Sequence, residues 1–309
     1  QMTFLPYLLL ILGFIFLIKG ADLFVDGSSS IAKHMKIPSV IVGLTIVAMG
    51  TSAPEASVSI TAALAGNSDI SLGNIVGSNI FNFLVVIGVS AMIFPIISHK
   101  DIIKRDLWWN LGITGLLLLL ILDNKLGRLD GIILLLGMAI YLFVVIRNAL
   151  KNRTTEDNEQ LLSVPKSILF MVIGLAAIII GGNFVVDNAS IIAKSLGLSE
   201  TLIGLTIVAI GTSLPELVTS ITAAKKQEAG IALGNAVGSN IFNILFILGA
   251  SSALTPMNVA PELFIDTILL IIVGIIIFIF AYTCRKTNRT EGIICVLLYV
   301  AYTAYIIMC

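Results

Sequence analysis

The chain has 309 residues, of which 58% are hydrophobic and only 12% are charged, and its mean hydropathy is +1.06. Soluble domains are about 45–50% apolar and about 25% charged, so this composition excludes a disordered, collagen-like or ordinary water-soluble protein. The 18 basic and 18 acidic residues balance, whereas a nucleic-acid partner would require a basic surface. The composition therefore predicts a polytopic membrane protein.

Ten apolar stretches predict membrane-spanning segments. A spanning helix needs about 20 mostly apolar residues, and the segments must be helical because an isolated strand leaves its backbone unsatisfied in lipid. In chain order the predicted spans lie near residues 4–24, 38–64, 70–97, 107–122, 129–147, 166–185, 199–224, 231–254, 263–282 and 292–308. The predicted fold is all-α, with ten transmembrane helices.

The basic residues of the connections predict the orientation of these spans. Fourteen Lys and Arg residues follow odd-numbered spans and three follow even-numbered spans. Cytoplasmic connections carry the excess of Lys and Arg. We therefore expect a multi-pass protein of the cell (plasma) membrane, with both termini extracellular and the polar linker 148–165 in the cytoplasm.

An internal repeat divides the chain. Residues 37–82 align without a gap onto 198–243, and 27 of the 46 aligned positions are identical. Each half then holds five spans, an odd number, so the second half must insert upside down relative to the first. We predict a first five-helix repeat over 1–147 and a second, inverted repeat over 166–309. Inverted repeats are the plan of secondary transporters, in which the substrate site lies near the midplane.

Glu55 and Glu216 are the only carboxylates in the middle of predicted spans, each within a Gly-Thr-Ser-x-Pro-Glu motif. A charge at that depth is costly and marks a functional site. The proline should break the helix near Gly50 and Gly211 and free the carbonyl groups of Ala48 and Ala209, or those of their neighbours, to bind a cation.

Hydroxyl and amide side chains share helical faces with these carboxylates. Thr51 lies four residues before Glu55, and the same spacing recurs in the second repeat and in the pairs Ser78–Asn82 and Ser239–Asn243. Together they predict an all-oxygen site, which suits a hard cation and, with flexible ligands, calcium. The Gly73–Gly77 and Gly234–Gly238 pairs predict close helix packing. Asn74, Asn79, Asn235 and Asn240 are expected to form hydrogen bonds between helices.

The paired motifs Gly-Thr-Ser-x-Pro-Glu and Gly-Asn-x-Val-Gly-Ser-Asn-Ile-Phe-Asn resemble the two alpha repeats of the calcium/cation antiporter superfamily, most closely its prokaryotic sodium/calcium exchangers. The resemblance implies sodium/calcium antiport by alternating access, with the first and sixth spans sliding across the bundle. It implies calcium ligands at Thr51, Glu55, Thr212 and Glu216. It implies sodium ligands at Ala48, Ser52, Glu55, Ser78, Asn82, Ala209, Thr212, Ser213, Glu216 and Ser239, and a central polar pair, Asn82 and Asn243. Relatives often carry Asp at the position of Asn243.

Other functions remain to be weighed against this one. A proton/calcium exchanger is the nearest alternative, because buried Glu residues can trade protons for cations. A cation channel is a further alternative, although two broken helices in one chain favour an occluded site. An intramembrane protease would need a nucleophile with a base, or an aspartate pair at depth, and neither is present. We expect no enzyme activity and no cofactor. The expected partners are sodium, calcium and the lipid bilayer, and the protein is expected to work as a monomer.

Overall fold

The computed structural model describes residues 4–97, 102–151, 162–197, 209–284 and 286–308. Within these ranges a helical unit occurs at each of the ten predicted positions. The units are α1 (Leu5–His34), α2 (Ser39–Thr51 and Ala53–Leu64), α3 (Ser68–Ile93), α4 (Leu107–Leu120), α5 (Arg128–Lys151), α6 (Val164–Ser195), α7 (Ala209–Thr212 and Leu214–Lys225), α8 (Ala229–Leu254), α9 (Pro261–Cys284) and α10 (Arg289–Met308). The beginning of the predicted seventh span, 199–208, lies outside the described residues.

Six of these helices (α1, α3, α5, α6, α8 and α9) are each long and apolar enough to cross a membrane. The two parts of α2 form a seventh candidate span, bent by 49°. Of the other three units, α4 has 14 residues and α10 has 20, and α7 is described only from Ala209 onward. The prediction of an all-helical, polytopic membrane protein is confirmed.

Helices α1 and α6 extend about ten residues beyond the predicted spans 4–24 and 166–185, because their polar ends stay helical and packed. They run antiparallel in close contact. A Cβ atom on Gly13 would lie 2.9 Å from the Gly181 carbonyl oxygen, and one on Gly27 would lie 2.6 Å from that of Ser167. As α1 runs forward, its neighbours on α6 run backward. Equivalent helices of the two repeats are therefore inverted, as predicted.

Four short strands, which the sequence did not predict, join the connections between helices. Strand β1 (Ile96–Ile97) pairs with β4 (Lys286–Thr287), and β2 (Lys125–Leu126) pairs with β3 (Met257–Asn258). The repeat offset relates β1 to β3 and β2 to β4. The pairing of β1 with β4 is therefore the symmetry equivalent of the pairing of β3 with β2. Strands β1 and β4 follow the third and ninth helices, while β2 and β3 follow the fourth and eighth. Each pairing thus joins two odd-numbered or two even-numbered connections, as a ten-span topology requires.

The prediction of close packing at the glycine pairs is confirmed in the second repeat. A Cβ atom on Gly234 would lie 2.7 Å from the Val40 carbonyl oxygen, and one on Gly238 would lie 2.6 Å from that of Leu44. Helix α8 therefore packs with its backbone against α2. The positions that the repeat would place opposite Gly73 and Gly77 are 201 and 205, outside the described residues, so there the packing stays a prediction.

Candidate functional site

Breaks in α2 and α7 place the two glutamates. The first break is at Ser52 (φ −82°, ψ 10°) and the second at Ser213 (φ −92°, ψ 6°), each two residues beyond the predicted glycine. Each proline stands in the first turn of the helix that follows, where its missing N–H costs nothing. Glu55 and Glu216 also lie in these first turns, where the helix dipole favours a negative charge.

Each carboxylate is held by a serine from the other repeat. The Ser213 hydroxyl donates to Glu55 Oε1 at 2.9 Å, and the Ser52 hydroxyl donates to Glu216 Oε1 at 2.8 Å. Ser239 Oγ lies 3.5 Å from the same oxygen of Glu216. Both carboxylates are fully buried, and their Oε2 atoms have no hydrogen-bond partner in the part of the chain that the structure describes. Two buried acceptor oxygens are therefore available for a positively charged ligand.

The threonines of the two motifs also bond across the repeats. Thr51 Oγ1 donates to Asn235 Oδ1 at 2.9 Å, and Thr212 Oγ1 donates to Asn74 Oδ1 at 3.4 Å. Thr51 is fully buried and Thr212 is 8% exposed. The expectation that Asn74 and Asn235 bond between helices is confirmed by these contacts.

Four asparagines meet between α3 and α8. Asn79 Nδ2 donates to the Asn240 carbonyl and Asn240 Nδ2 donates to the Asn79 carbonyl, both at 3.1 Å. Asn82 and Asn243 then donate to the side-chain oxygens of Asn240 and Asn79, at 3.1 and 2.9 Å. The predicted central pair is buried, yet each member bonds an asparagine of the opposite helix, and both Oδ1 atoms lack a partner among the described residues. Irregular π-helical turns begin at both residues, Asn82–Val86 and Asn243–Leu248, as is frequent at functional sites.

The remaining sodium-ligand candidates differ in their surroundings. The Ala48 carbonyl accepts the Ser52 backbone N–H at 3.1 Å and lies 3.4 Å from Ser239 Oγ. The break therefore does not free the carbonyl of Ala48, because it comes only after the Ser52 N–H; for Ala209 and the neighbouring carbonyls the expectation stays a prediction. Ser78 is 3% exposed, and its hydroxyl has no partner within the described ranges. Ala209 is the first described residue of α7.

The donor set consists of carboxylate, hydroxyl, amide and carbonyl oxygens. Among the described residues there is no group of three or more His, Cys, Asp and Glu side chains that could hold a metal ion. A cation here would therefore meet two carboxylates and neutral oxygens. Two carboxylates balance one divalent ion, and oxygen ligands of this kind suit calcium or sodium rather than zinc.

Ser59 and Ser220 were missed by the sequence reasoning. Asn74 Nδ2 donates to Ser59 Oγ at 2.9 Å, and Asn235 Nδ2 donates to Ser220 Oγ at 3.0 Å. Each serine follows its repeat's glutamate by four residues, so both share the glutamate's helical face. That repeated spacing is the signal that could have identified them.

Comparison with known proteins gives consistent matches along the chain. The sodium/calcium exchanger protein family matches twice, at residues 5–147 and 166–308. The inner membrane protein YrbG of Escherichia coli is 36% identical over 295 residues, which cover 92% of this chain and 90% of that protein. The sodium/calcium exchanger MaX1 of Methanosarcina acetivorans is 35% identical over 339 residues, covering 96% of this chain and 97% of MaX1. The structure of the sodium-calcium exchanger NCX_Mj soaked with Na⁺ and Sr²⁺ superposes with a TM-score of 0.88 at 35% identity, covering 98% of this chain and 99% of that one.

Proposed function

The chain belongs to the sodium/calcium exchanger protein family, and from this membership we propose that it exchanges sodium ions for calcium across the cell membrane by alternating access. It is a multi-pass membrane antiporter of that family and not an enzyme. The observation that carries the proposal is the pair of buried carboxylates, one from each repeat, whose Oε2 atoms have no partner within the described residues.

Calcium binds between the two broken helices. Glu55 and Glu216 supply two negative charges, which balance one divalent cation in a buried site. Thr51 and Thr212, four residues earlier on the same helices, add neutral oxygens. The cross-repeat bonds to the carboxylates support this assignment, because they bring both glutamates to one place.

Sodium ions use overlapping ligands, so that sodium and calcium compete for the same carboxylates. The proposed sodium ligands are the two glutamates with the neighbouring hydroxyl, amide and carbonyl oxygens of Ala48, Ser52, Ser78, Asn82, Ala209, Thr212, Ser213 and Ser239. Competition for shared charges is what exchange requires, because one kind of ion then leaves as the other binds. The hydroxyl of Ser78 is buried and has no hydrogen-bond partner among the described residues, which supports its inclusion.

Alternating access, in which the α1–α6 pair moves relative to the other helices, requires a defined topology. We assign one five-helix unit to residues 1–147 and the other to 166–309, with the linker 148–165 in the cytoplasm and both termini outside. The parity of the strand pairings supports the alternation of the ten spans, and the excess of Lys and Arg in the odd-numbered connections supports the orientation. Single cysteines placed within 152–160, in a variant without the three natural cysteines, should react with an impermeant maleimide only from the cytoplasmic side. Reaction from outside intact cells would contradict the orientation.

The deciding experiment measures calcium-45 uptake into proteoliposomes loaded with sodium, with and without an outward sodium gradient. Sodium/calcium exchange predicts saturable uptake that requires the gradient and stops when choline replaces sodium. Uptake driven equally well by an outward proton gradient, in the absence of sodium, would establish proton/calcium exchange instead. That alternative is favoured by the same two buried carboxylates, since a carboxylate can carry a proton in place of a metal ion. Uptake that needs no counter-ion would indicate a channel.

A further inference from the structure

The second half of α1 is bonded to the connection between α7 and α8. Lys226 Nζ lies 2.6 Å from Asp26 Oδ1 and 3.6 Å from Asp22 Oδ1, and it donates to the Asp22 carbonyl at 3.2 Å. The hydroxyl of Ser29, a buried residue, donates to Glu228 Oε1. Two acidic residues and one serine of α1 are thus held by one short connection of the bundle.

The equivalent place on the other side of the protein has no such contact. The repeat offset relates Lys226 to Ala65 and Asp26 to Asp187. Ala65 carries no charge, and Asp187 forms no ion pair within the described ranges. Of the two equivalent places, only the one on α1 therefore has an ionic contact with the connection that it faces.

Helix packing differs between the two sides in the same sense. Helix α1 packs against Leu214–Lys225, the part of α7 beyond its break. Among the described residues, α6 makes no comparable contact with the equivalent part of α2, Ala53–Leu64. In agreement with this, Thr222 is 7% exposed and classed as buried, whereas the equivalent Thr61 is exposed. In this structure α1 thus covers the second part of α7, and α6 leaves the second part of α2 open.

We propose that five residues form a latch that holds α1 against α7 and keeps this side of the transporter closed: Asp22, Asp26, Ser29, Lys226 and Glu228. The proposed topology assigns this side to the cytoplasm. Movement of α1 away from α7 must break the ion pair, and Ala65 provides no equivalent pair on the other side. The latch therefore favours the conformation that is closed to the cytoplasm. This inference rests on alternating access, which is part of the function proposed above, but not on which ions are exchanged.

Cysteine reactivity tests the latch in the full-length protein, with the three natural cysteines replaced and with lipid nanodiscs that leave both sides accessible. Thr222 is buried and lies one turn before Lys226, so a Thr222→Cys variant should react with a soluble maleimide when α1 moves away. Adding Lys226→Gln should raise the reaction rate about fivefold, and adding Asp26→Asn about threefold, as expected for the loss of partly exposed ion pairs. Both changes together should have no more effect than Lys226→Gln alone, because they remove the same bond.

Two controls separate the latch from a general loosening of the protein. Asp187→Asn removes the equivalent carboxylate of α6, which has no ion pair among the described residues, so it should change the Thr222→Cys rate less than about twofold. A cysteine replacing the exposed Thr61 should react no faster when Lys226→Gln is added. A Thr222→Cys rate unchanged by both Lys226→Gln and Asp26→Asn, or an equal rise at position 61, would overturn the latch while leaving the proposed function intact. Calcium uptake that ignores the sodium gradient would instead overturn the exchange function, without altering these reaction rates.

Discussion

Replacing either buried glutamate by glutamine removes one of the two charges that balance calcium. Glu55 and Glu216 are fully buried, and the side-chain amide keeps nearly the same shape. At an effective dielectric constant of about 20, two unit charges about 4 Å apart attract by about 4 kcal/mol, so a divalent ion loses about 8 kcal/mol of direct attraction. If the amide dipole and the lower cost of burying a neutral group offset half of this, about 4 kcal/mol remains. That corresponds to about a thousandfold loss of calcium affinity.

The assay is calcium-45 uptake into sodium-loaded proteoliposomes, with calorimetry for the affinity and thermal melting for the fold. Both Glu55→Gln and Glu216→Gln should abolish measurable uptake, and neither should melt below the wild-type protein, because each removes a buried charge that has no cationic partner among the described residues. Asp69→Asn is the matched control, since Asp69 lies in the first turn of α3, outside the site. It should transport like the wild type. Uptake at the wild-type rate by either glutamine variant would refute the site assignment.

Three further outcomes are expected. Calcium affinity should fall as the pH is lowered, because protons compete with calcium for the two carboxylates; an affinity that stays constant through the acidic range would contradict this. Asn243→Asp replaces the amide that donates to Asn79 Oδ1 with a group that can donate there only when protonated. We therefore expect calcium affinity near neutral pH to change less than about threefold, and a large gain by calorimetry would reveal a charged third carboxylate. Gly174→Ala should lower the melting temperature, since its Cβ would lie 2.6 Å from the Phe24 backbone nitrogen and overpacking costs about 1–3 kcal/mol. Gly112→Ala should not lower it, since a Cβ there would meet no atom of the described residues within 4 Å, and equal effects would argue against close α1–α6 packing.

The sequence predicts which residues form the site, because placing a carboxylate in the middle of a membrane span is costly unless it has a function there. A carboxylate in the middle of an apolar span, repeated at a fixed offset beside a proline, leaves few explanations other than ion binding. The proline also predicts the helix break, which the structure places at Ser52 and Ser213, two residues beyond the glycines. These conclusions depend on local chemistry and depth in the membrane, and both can be read from a single chain.

The contacts between repeats could not be predicted in the same way. Knowing that the halves are inverted does not determine how far one is shifted along the other, so the sequence does not reveal that Ser213 bonds Glu55. The two-residue strands have no periodicity to detect. The polar end of α1 interrupts the apolar pattern, but it remains helical because the small residues Gly27, Ser28, Ser29 and Ser30 are buried there, which is a tertiary effect.

The distribution of the candidate ligands explains how access could alternate without destroying the site. Every proposed ligand lies on α2, α3, α7 or α8, and the bonds to the carboxylates run between the broken helices of the two repeats. Helices α1 and α6 supply no proposed ligand, yet their backbones pack closely at three places, where Gly13 meets Gly181, Gly20 meets Gly174 and Gly27 meets Ser167. Because these close backbone contacts join the two helices to each other, we expect the pair to move as a unit. Its movement would open one side of the site and cover the other, while the carboxylates keep their cross-repeat partners and hold the ion.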